Sequence, residues 1–93
     1  MLRAGRKTFL TARKAAHGAV VEFGLESAVE ATIVIYDVSG RRVRELTRGV
    51  FEAGRYERIW DGRNEGGAAT GAGVYFVTLR AGAEVIAQKL VMM

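Results

Sequence analysis

Short apolar runs separated by turn residues fill most of the chain. In the run 19–25, apolar and other residues alternate so that Val21, Phe23 and Leu25 share one face, as in a half-buried strand. The run 31–38 is rich in β-branched and aromatic residues, which is typical of a buried central strand. Helical periodicity is missing from these runs. The pattern therefore predicts an all-β, antiparallel sandwich of six or seven strands.

Four further strands are predicted between turn signals, at 41–46, 55–60, 73–80 and 84–91. The last two are joined by the tight turn 81–83 and form the clearest hairpin in the chain. The segment 62–73 is rich in glycine, which predicts a long loop with a short extended piece at 68–70.

One charged residue falls on an apolar face of the predicted strand 55–60. A period of two places Tyr56, Arg58 and Trp60 on the same side of that strand. Two arrangements accommodate the arginine: its aliphatic stem runs along the apolar surface, or a bulge turns Ile59 inward in its place.

The first eighteen residues do not share the strand pattern, so we divide the chain into a basic segment, 1–18, and a sandwich domain, 19–93. Three structures remain open for the first segment: an edge strand near 8–12, a basic helical arm, or a disordered tail. Its basic character comes from five cations that precede the first acidic residue, Glu22: Arg3, Arg6, Lys7, Arg13 and Lys14.

The composition narrows the class of protein. With 49% hydrophobic and 26% charged residues, the chain has the usage of a folded globular domain. It has no cysteine, so neither a disulfide nor a cysteine-ligated zinc ion is available to stabilise the core. The net charge of +4 is concentrated at the N-terminus and no nucleic-acid-binding motif accompanies it, so we expect no nucleic-acid partner.

The sequence also gives no sign of a membrane span or a signal peptide. The apolar runs are much shorter than the roughly 20 residues that a transmembrane helix needs. Arg13 and Lys14 interrupt the apolar segment that a secretory signal would require near the N-terminus.

No constellation of residues predicts catalysis or cofactor binding. His17 is the only histidine, and it has no cysteine or second histidine with which to build a triad or a metal site. The segment 61–65 offers carboxylate and amide oxygens for calcium, but Arg63 in its middle opposes a cation, and turn formation explains those residues equally well. We therefore predict no catalytic residue, no cofactor and no metal.

Three segments together carry a family likeness. They are Ile35 to Val43, Gly54 with the Trp60-Asp61-Gly62 triplet, and 73–79 with the closing residues 89–91. In this order they resemble the FlgD-like immunoglobulin-like domain and the related C-terminal sorting domains of type IX secretion. The resemblance covers about residues 19–93 and implies that the predicted sandwich is immunoglobulin-like.

The resemblance also implies a function. It indicates a non-catalytic module of an exported bacterial protein, secreted or held at the cell surface, that serves as a C-terminal sorting or surface-attachment domain. Its partner would be the secretion machinery or the parent polypeptide. The alternative is a self-assembling structural subunit, such as a hook-cap-like or filament component, that forms homo-oligomers through edge strands or the N-terminal arm.

Two sets of residues follow from this interpretation. The expected core contains large apolar and aromatic side chains: Phe23, Ile35, Tyr36, Trp60, Tyr75 and Leu79. The expected partner-binding residues lie on the C-terminal hairpin: Val74, Phe76, Lys89, Leu90 and Val91.

Overall fold

The structure is a computed structural model that describes residues 8–93. It contains seven strands: β1 (Phe9–Ala15), β2 (Gly18–Leu25), β3 (Val29–Asp37), β4 (Arg42–Phe51), β5 (Gly54–Trp60), β6 (Gly73–Ala81) and β7 (Glu84–Met92). They form two antiparallel sheets, one with the order β1-β2-β5 and the other with the order β4-β3-β6-β7. The predicted antiparallel sandwich of six or seven strands is confirmed. Within the described range there is no helix that is long and apolar enough to cross a membrane.

The core lies between the two sheets, with β1 beside β7 and β5 beside β4 at the two sides of the sandwich. Its largest fully buried side chains come from both sheets: Trp60, Phe23, Leu25, Ile33, Ile35, Leu79, Val21 and Val77. Tyr75 is also buried, with its ring edge-on to Trp60 at a centroid distance of 5.4 Å. Such aromatic pairs add to the free energy gained from burying their area.

The expected core position of Tyr36 is wrong. Ile35 is fully buried, and because neighbouring residues of a strand face opposite sides of the sheet, Tyr36 lies on the outer face of the four-stranded sheet, where it is half-buried. There it stands directly opposite Phe76 of β6.

Arg58 keeps the regular alternation of β5, and no bulge turns Ile59 inward. Ile59 remains 62% exposed on the outer side of the three-stranded sheet. The half-buried Arg58 points inward, donates a hydrogen bond from Nε to Oγ1 of Thr47 at 3.4 Å, and places its guanidinium 5.6 Å from the ring centroid of Phe51. The aliphatic stem therefore runs along the apolar surface while the charged group reaches polar and aromatic partners at the sandwich rim.

Of the three structures left open for the N-terminal segment, the described part contains the edge strand. β1 pairs with β2 along its whole length and buries Leu10 in the core, so residues 9–18 form part of the sandwich. On the outer side of β1, the ring of Phe9 lies over Gly24, where a Cβ atom would come within 2.1 Å of it. Residues 1–7, the remainder of the predicted basic arm, lie outside the described residues.

Candidate functional site

The C-terminal hairpin places four of its five candidate residues together. In the register of β6 and β7, Val74 is opposite Val91, and Phe76 is opposite Lys89. Directly opposed residues of an antiparallel pair point to the same side of a sheet. These four side chains therefore form one surface, on the side of the sheet away from the core.

The predicted partner-binding role of Leu90, the fifth candidate, is wrong. It is only 3% exposed and belongs to the core cluster. The reason is again the alternation of β7, which turns Leu90 inward when Lys89 and Val91 face outward.

The neighbouring strand extends this surface with a residue that the sequence did not predict there. Tyr36 of β3 stands opposite Phe76, and Arg42 of β4 stands opposite Tyr36. One row therefore crosses all four strands in the order Arg42, Tyr36, Phe76, Lys89. We call the surface formed by Tyr36, Val74, Phe76, Lys89 and Val91 the hairpin face.

Charges are distributed unevenly across the outer side of this sheet. On β4, the carboxylate of Glu45 accepts hydrogen bonds from Arg48 at 2.7 Å and from Arg42 at 2.8 Å. The bond from Arg48 holds the pKa of Glu45 below its ordinary value, and the same bond raises the pKa of Arg48. On β6 and β7, neither Arg80 nor Lys89 has an ion-pair partner within residues 8–93. The cations of the hairpin therefore lack an ionic partner of the kind that Arg42 and Arg48 share in Glu45.

The free edge of β4 is irregular and partly covered. Its pairing with β3 shifts register twice, between Ile33 and Val34 and again between Ile35 and Tyr36, and such bulges disfavour pairing with a further strand. The segment between β5 and β6, residues 61–72, then lies against this edge; we call it the edge loop. The backbone N–H of Glu65 donates to the carbonyl of Val43 at 3.0 Å. In return, the Glu65 carboxylate accepts the N–H of Glu45 at 2.6 Å.

Side chains from the core and from β4 hold the edge loop in place. The indole Nε1 of the buried Trp60 donates to the carbonyl of Arg63 at 2.9 Å. The same carbonyl accepts a hydrogen bond from Arg44, which also reaches the carboxylate of Asp61, both at 3.3 Å. Within the loop, Oδ1 of Asn64 accepts two backbone N–H groups, as in an Asx turn. The predicted extended piece at 68–70 corresponds to a single bridge between Arg63 and Ala69.

The free edge of β7 is regular. β7 pairs with β6 from Glu84 to Met92 without a register shift, and among residues 8–93 no strand is hydrogen-bonded to its other side, where β1 of the opposite sheet packs beside it. A regular edge strand presents a row of N–H and C=O groups that can pair with another extended chain. The hairpin face therefore borders an edge whose N–H and C=O groups have no strand partner among residues 8–93, which is the feature that strand addition uses.

Two further polar side chains, those of Asp37 and Tyr75, hold turns and loops in place. Oδ1 of Asp37 accepts the hydroxyl of Ser39 at 2.7 Å and the backbone N–H of Arg41 at 2.9 Å. The first of these bonds contributes most to keeping the pKa of Asp37 below its ordinary value. The hydroxyl of Tyr75 donates to the backbone carbonyls of Thr70 and Gly71. The Asp37 carboxylate and the Tyr75 hydroxyl therefore each hold a loop in place.

The acidic and histidine side chains do not come together. Among residues 8–93, no three His, Cys, Asp or Glu side chains form a group that could hold a metal ion. His17 lies exposed in the turn between β1 and β2. The geometry of the described chain thus presents surfaces and edges, and the hairpin face is the candidate site.

Comparison with known proteins supports the immunoglobulin-like fold. A family model described as the FlgD Ig-like domain matches residues 10–84. No curated protein matches the sequence. Among solved structures, the crystal structure of dimeric latent PorU from Porphyromonas gingivalis is similar, with a TM-score of 0.63 and 19% sequence identity. The match covers 90% of this chain but only 9% of that protein, and at this identity it shows the fold alone.

Proposed function

This chain belongs to the FlgD Ig-like domain family, and from that premise we propose that it is a non-catalytic module of an exported bacterial protein that acts as a C-terminal sorting and surface-attachment domain. In this proposal the protein is secreted or held at the cell surface, and its partner is the secretion machinery or the parent polypeptide. The motifs shared with type IX sorting domains motivate the sorting role.

One observation carries the proposal: the C-terminal hairpin combines an outward apolar and cationic surface with an open strand edge. Val91 is 42% exposed and Phe76 37% exposed, although both are large apolar side chains. Exposed apolar patches with a polar rim are typical of surfaces that bind other proteins. Main-chain hydrogen bonds along β7 would supply affinity, and the hairpin face would supply specificity.

A reporter assay tests the proposal. The full chain is fused to the C-terminus of a periplasmic reporter in a bacterium with type IX secretion, and the fraction of reporter at the cell surface and in the medium is measured. Removing β7 by truncation after Ala81 would not test the hairpin face alone, because it would also remove the buried Leu90 from the core. We therefore compare Val91→Asp, on the hairpin face, with Val50→Asp, which is 79% exposed on the outer side of β4.

We expect export of the wild-type fusion and of Val50→Asp, and periplasmic retention of Val91→Asp with an unchanged melting temperature. Retention of the wild-type fusion, in cells that export an authentic sorting domain, would overturn the sorting role. Equal export of the two variants would exclude the hairpin face as the recognised surface.

The alternative, a self-assembling subunit, is favoured by a second regular edge. β1 pairs with β2 without a register shift, and among residues 8–93 no strand is hydrogen-bonded to its other side. Sedimentation of the purified full chain distinguishes the two functions, because an assembly subunit forms oligomers that grow with concentration and a sorting module stays monomeric.

A further inference from the structure

The outward side chains of β7 indicate which side chains a bound partner carries, whereas main-chain pairing along β7 does not. In order along the strand they are Val85, Ala87, Lys89 and Val91. From this pattern we infer that the free edge of β7 accepts an extended segment of the form apolar, any residue, acidic, any residue, apolar, with the acidic residue opposite Lys89. The inference rests on the proposed function and names the chemistry of its partner.

The geometry follows from ordinary sheet spacing. A strand added to the edge of β7 would lie about 4.8 Å from it, and every second side chain would join the outer side of the sheet. Each of these side chains would stand opposite one outward residue of β7 and interact with it as a cross-strand pair. Three successive outward positions of the partner would therefore face Ala87, Lys89 and Val91. Because the inferred pattern is symmetric, it fits a partner running in either direction.

The charge of the hairpin favours an acidic residue at the central position. The cross-strand neighbour of Lys89 on β6 is Phe76, which is uncharged. Glu45, the acidic residue on this side of β4, lies beyond β3 and β6 and already bonds to Arg42 and Arg48. The side of Lys89 that faces the free edge is where a carboxylate can complete an opposite-charge pair.

The flanking positions favour apolar side chains. Val91 is 42% exposed and presents apolar surface beside the edge. Ala87 has a short side chain, so a larger apolar residue opposite it would cover the surface between Val85 and Lys89. Both contacts would bury apolar area that the isolated chain leaves in water.

A second copy of this chain fits the edge less well. Neither β7 nor β1 has an outward acidic residue, so neither of these two edges can place a carboxylate opposite Lys89. On β5, Glu57 is flanked by Ile59 on one side but by Arg55 on the other. Charge complementarity therefore favours a different polypeptide as the occupant.

Titration with two synthetic peptides tests the inference on the full chain. The probes are Thr-Val-Thr-Glu-Thr-Val-Thr, with blocked termini, and the same peptide with lysine in place of glutamate. Amide chemical shifts of the ¹⁵N-labelled protein report both the affinity and the strand that is contacted. The variant Lys89→Glu reverses the charge at the site, and Arg13→Glu makes the same change in net charge on the outer side of the opposite sheet.

We expect the glutamate peptide to shift the amides of β7 and to bind more tightly than the lysine peptide by about fivefold, the upper range for a cross-strand charge pair. Lys89→Glu should reverse this preference, Lys89→Gln should abolish it, and Arg13→Glu should leave it unchanged. Equal affinity for the two peptides, shifts confined to β1 or β5, or self-association that occupies β7 would each overturn the inference. If Val91→Asp blocks export while the peptides bind equally, the sorting proposal stands and the acidic pattern is wrong.

Discussion

The two edges of the four-stranded sheet, β4 and β7, are built in opposite ways. β4 carries two register shifts, and Glu65 of the edge loop bonds to the backbone of Val43 and Glu45. β7 is regular, and within residues 8–93 no strand is hydrogen-bonded to its outer edge. The ion pairs follow the same division: on β4 Glu45 pairs with Arg42 and Arg48, whereas Lys89 on the hairpin has no ionic partner in residues 8–93.

This difference indicates which edge is available for binding. A strand edge is a site of association unless bulges or a covering segment block it. In the described chain the edge loop bonds to the backbone of β4, whereas the outer main-chain groups of β7 have no hydrogen-bonded strand. The edge loop is therefore as important as the hairpin face in deciding which edge of the sheet binds a partner. The hydrogen bond that Trp60 donates to the carbonyl of Arg63 connects the loop that covers β4 to the core.

The largest loss of stability is expected when the side chain that anchors the edge loop is removed. Trp60→Ala deletes the largest buried side chain together with the hydrogen bond to Arg63, and we expect a loss of about 3 to 5 kcal/mol in the free energy of unfolding. Urea denaturation measures the loss. Ile59→Ala on the outer side of the same strand is the control, with an expected change within about 0.5 kcal/mol. A loss below about 1 kcal/mol for Trp60→Ala would show that the ring does not support the core.

The next test separates the two sides of β7. Leu90→Ala should cost about 2 to 5 kcal/mol because it opens a cavity in the core. Val91→Thr, one residue further and facing outward, should change stability by no more than about 0.5 kcal/mol. Thermal and urea unfolding of both variants provide the comparison. Similar losses for the two would mean that the alternation of β7 is not as described.

A smaller effect is expected at the covered edge. Glu65→Ala removes the carboxylate that accepts the N–H of Glu45, and we expect a loss of about 1 kcal/mol and faster hydrogen exchange of that amide. Glu65→Gln keeps an acceptor oxygen and should retain most of the protection. Unchanged exchange at Glu45 in the alanine variant would show that the edge loop does not protect β4.

The smallest expected effect depends on pH. The pKa of Asp37 is lowered in the folded chain, first by the hydroxyl of Ser39, so the carboxylate contributes stability that is present above the unfolded pKa. This contribution is lost as the pH falls through the lower folded pKa. Asp37→Asn should therefore be less stable than the wild type at pH 7, and the difference should shrink at acidic pH. Denaturation curves at both pH values check the sign, and a difference that grows on acidification would contradict it.

Alternation and turn residues were sufficient to predict most strands and the C-terminal hairpin. They failed at Tyr36 because the run 31–38 is apolar on both sides, so a period of two cannot tell which residues face the core. A partner-binding role for Leu90 is wrong because the alternation of β7, which turns Leu90 inward beside the outward Val91, distinguishes residues that a prediction for the whole hairpin treats alike. An outward position for Tyr36 follows only from its pairing with Phe76, which is a long-range contact.

The protection of β4 could not be predicted from the sequence. The edge loop was expected to be a glycine-rich connection, and its function depends on contacts between Glu65 and residues about 20 positions away along the chain. Local propensity carries no information about such contacts. The sequence does not identify β1 as a strand for a related reason. Its basic residues weaken the apolar pattern, and only its pairing with β2 identifies it.

The most direct test of the central claim, that the free edge of β7 binds the partner through its main chain, uses the neighbouring substitutions Ala87→Pro and Gln88→Pro. In an antiparallel edge strand, successive N–H groups point alternately to the paired strand and to the free edge, so one of these prolines removes only a free-edge donor. That variant should keep wild-type thermal stability, while the other is destabilised. The account predicts that the stable proline variant, fused to the reporter, remains in the periplasm. Export of this variant at the wild-type level would contradict strand addition at β7.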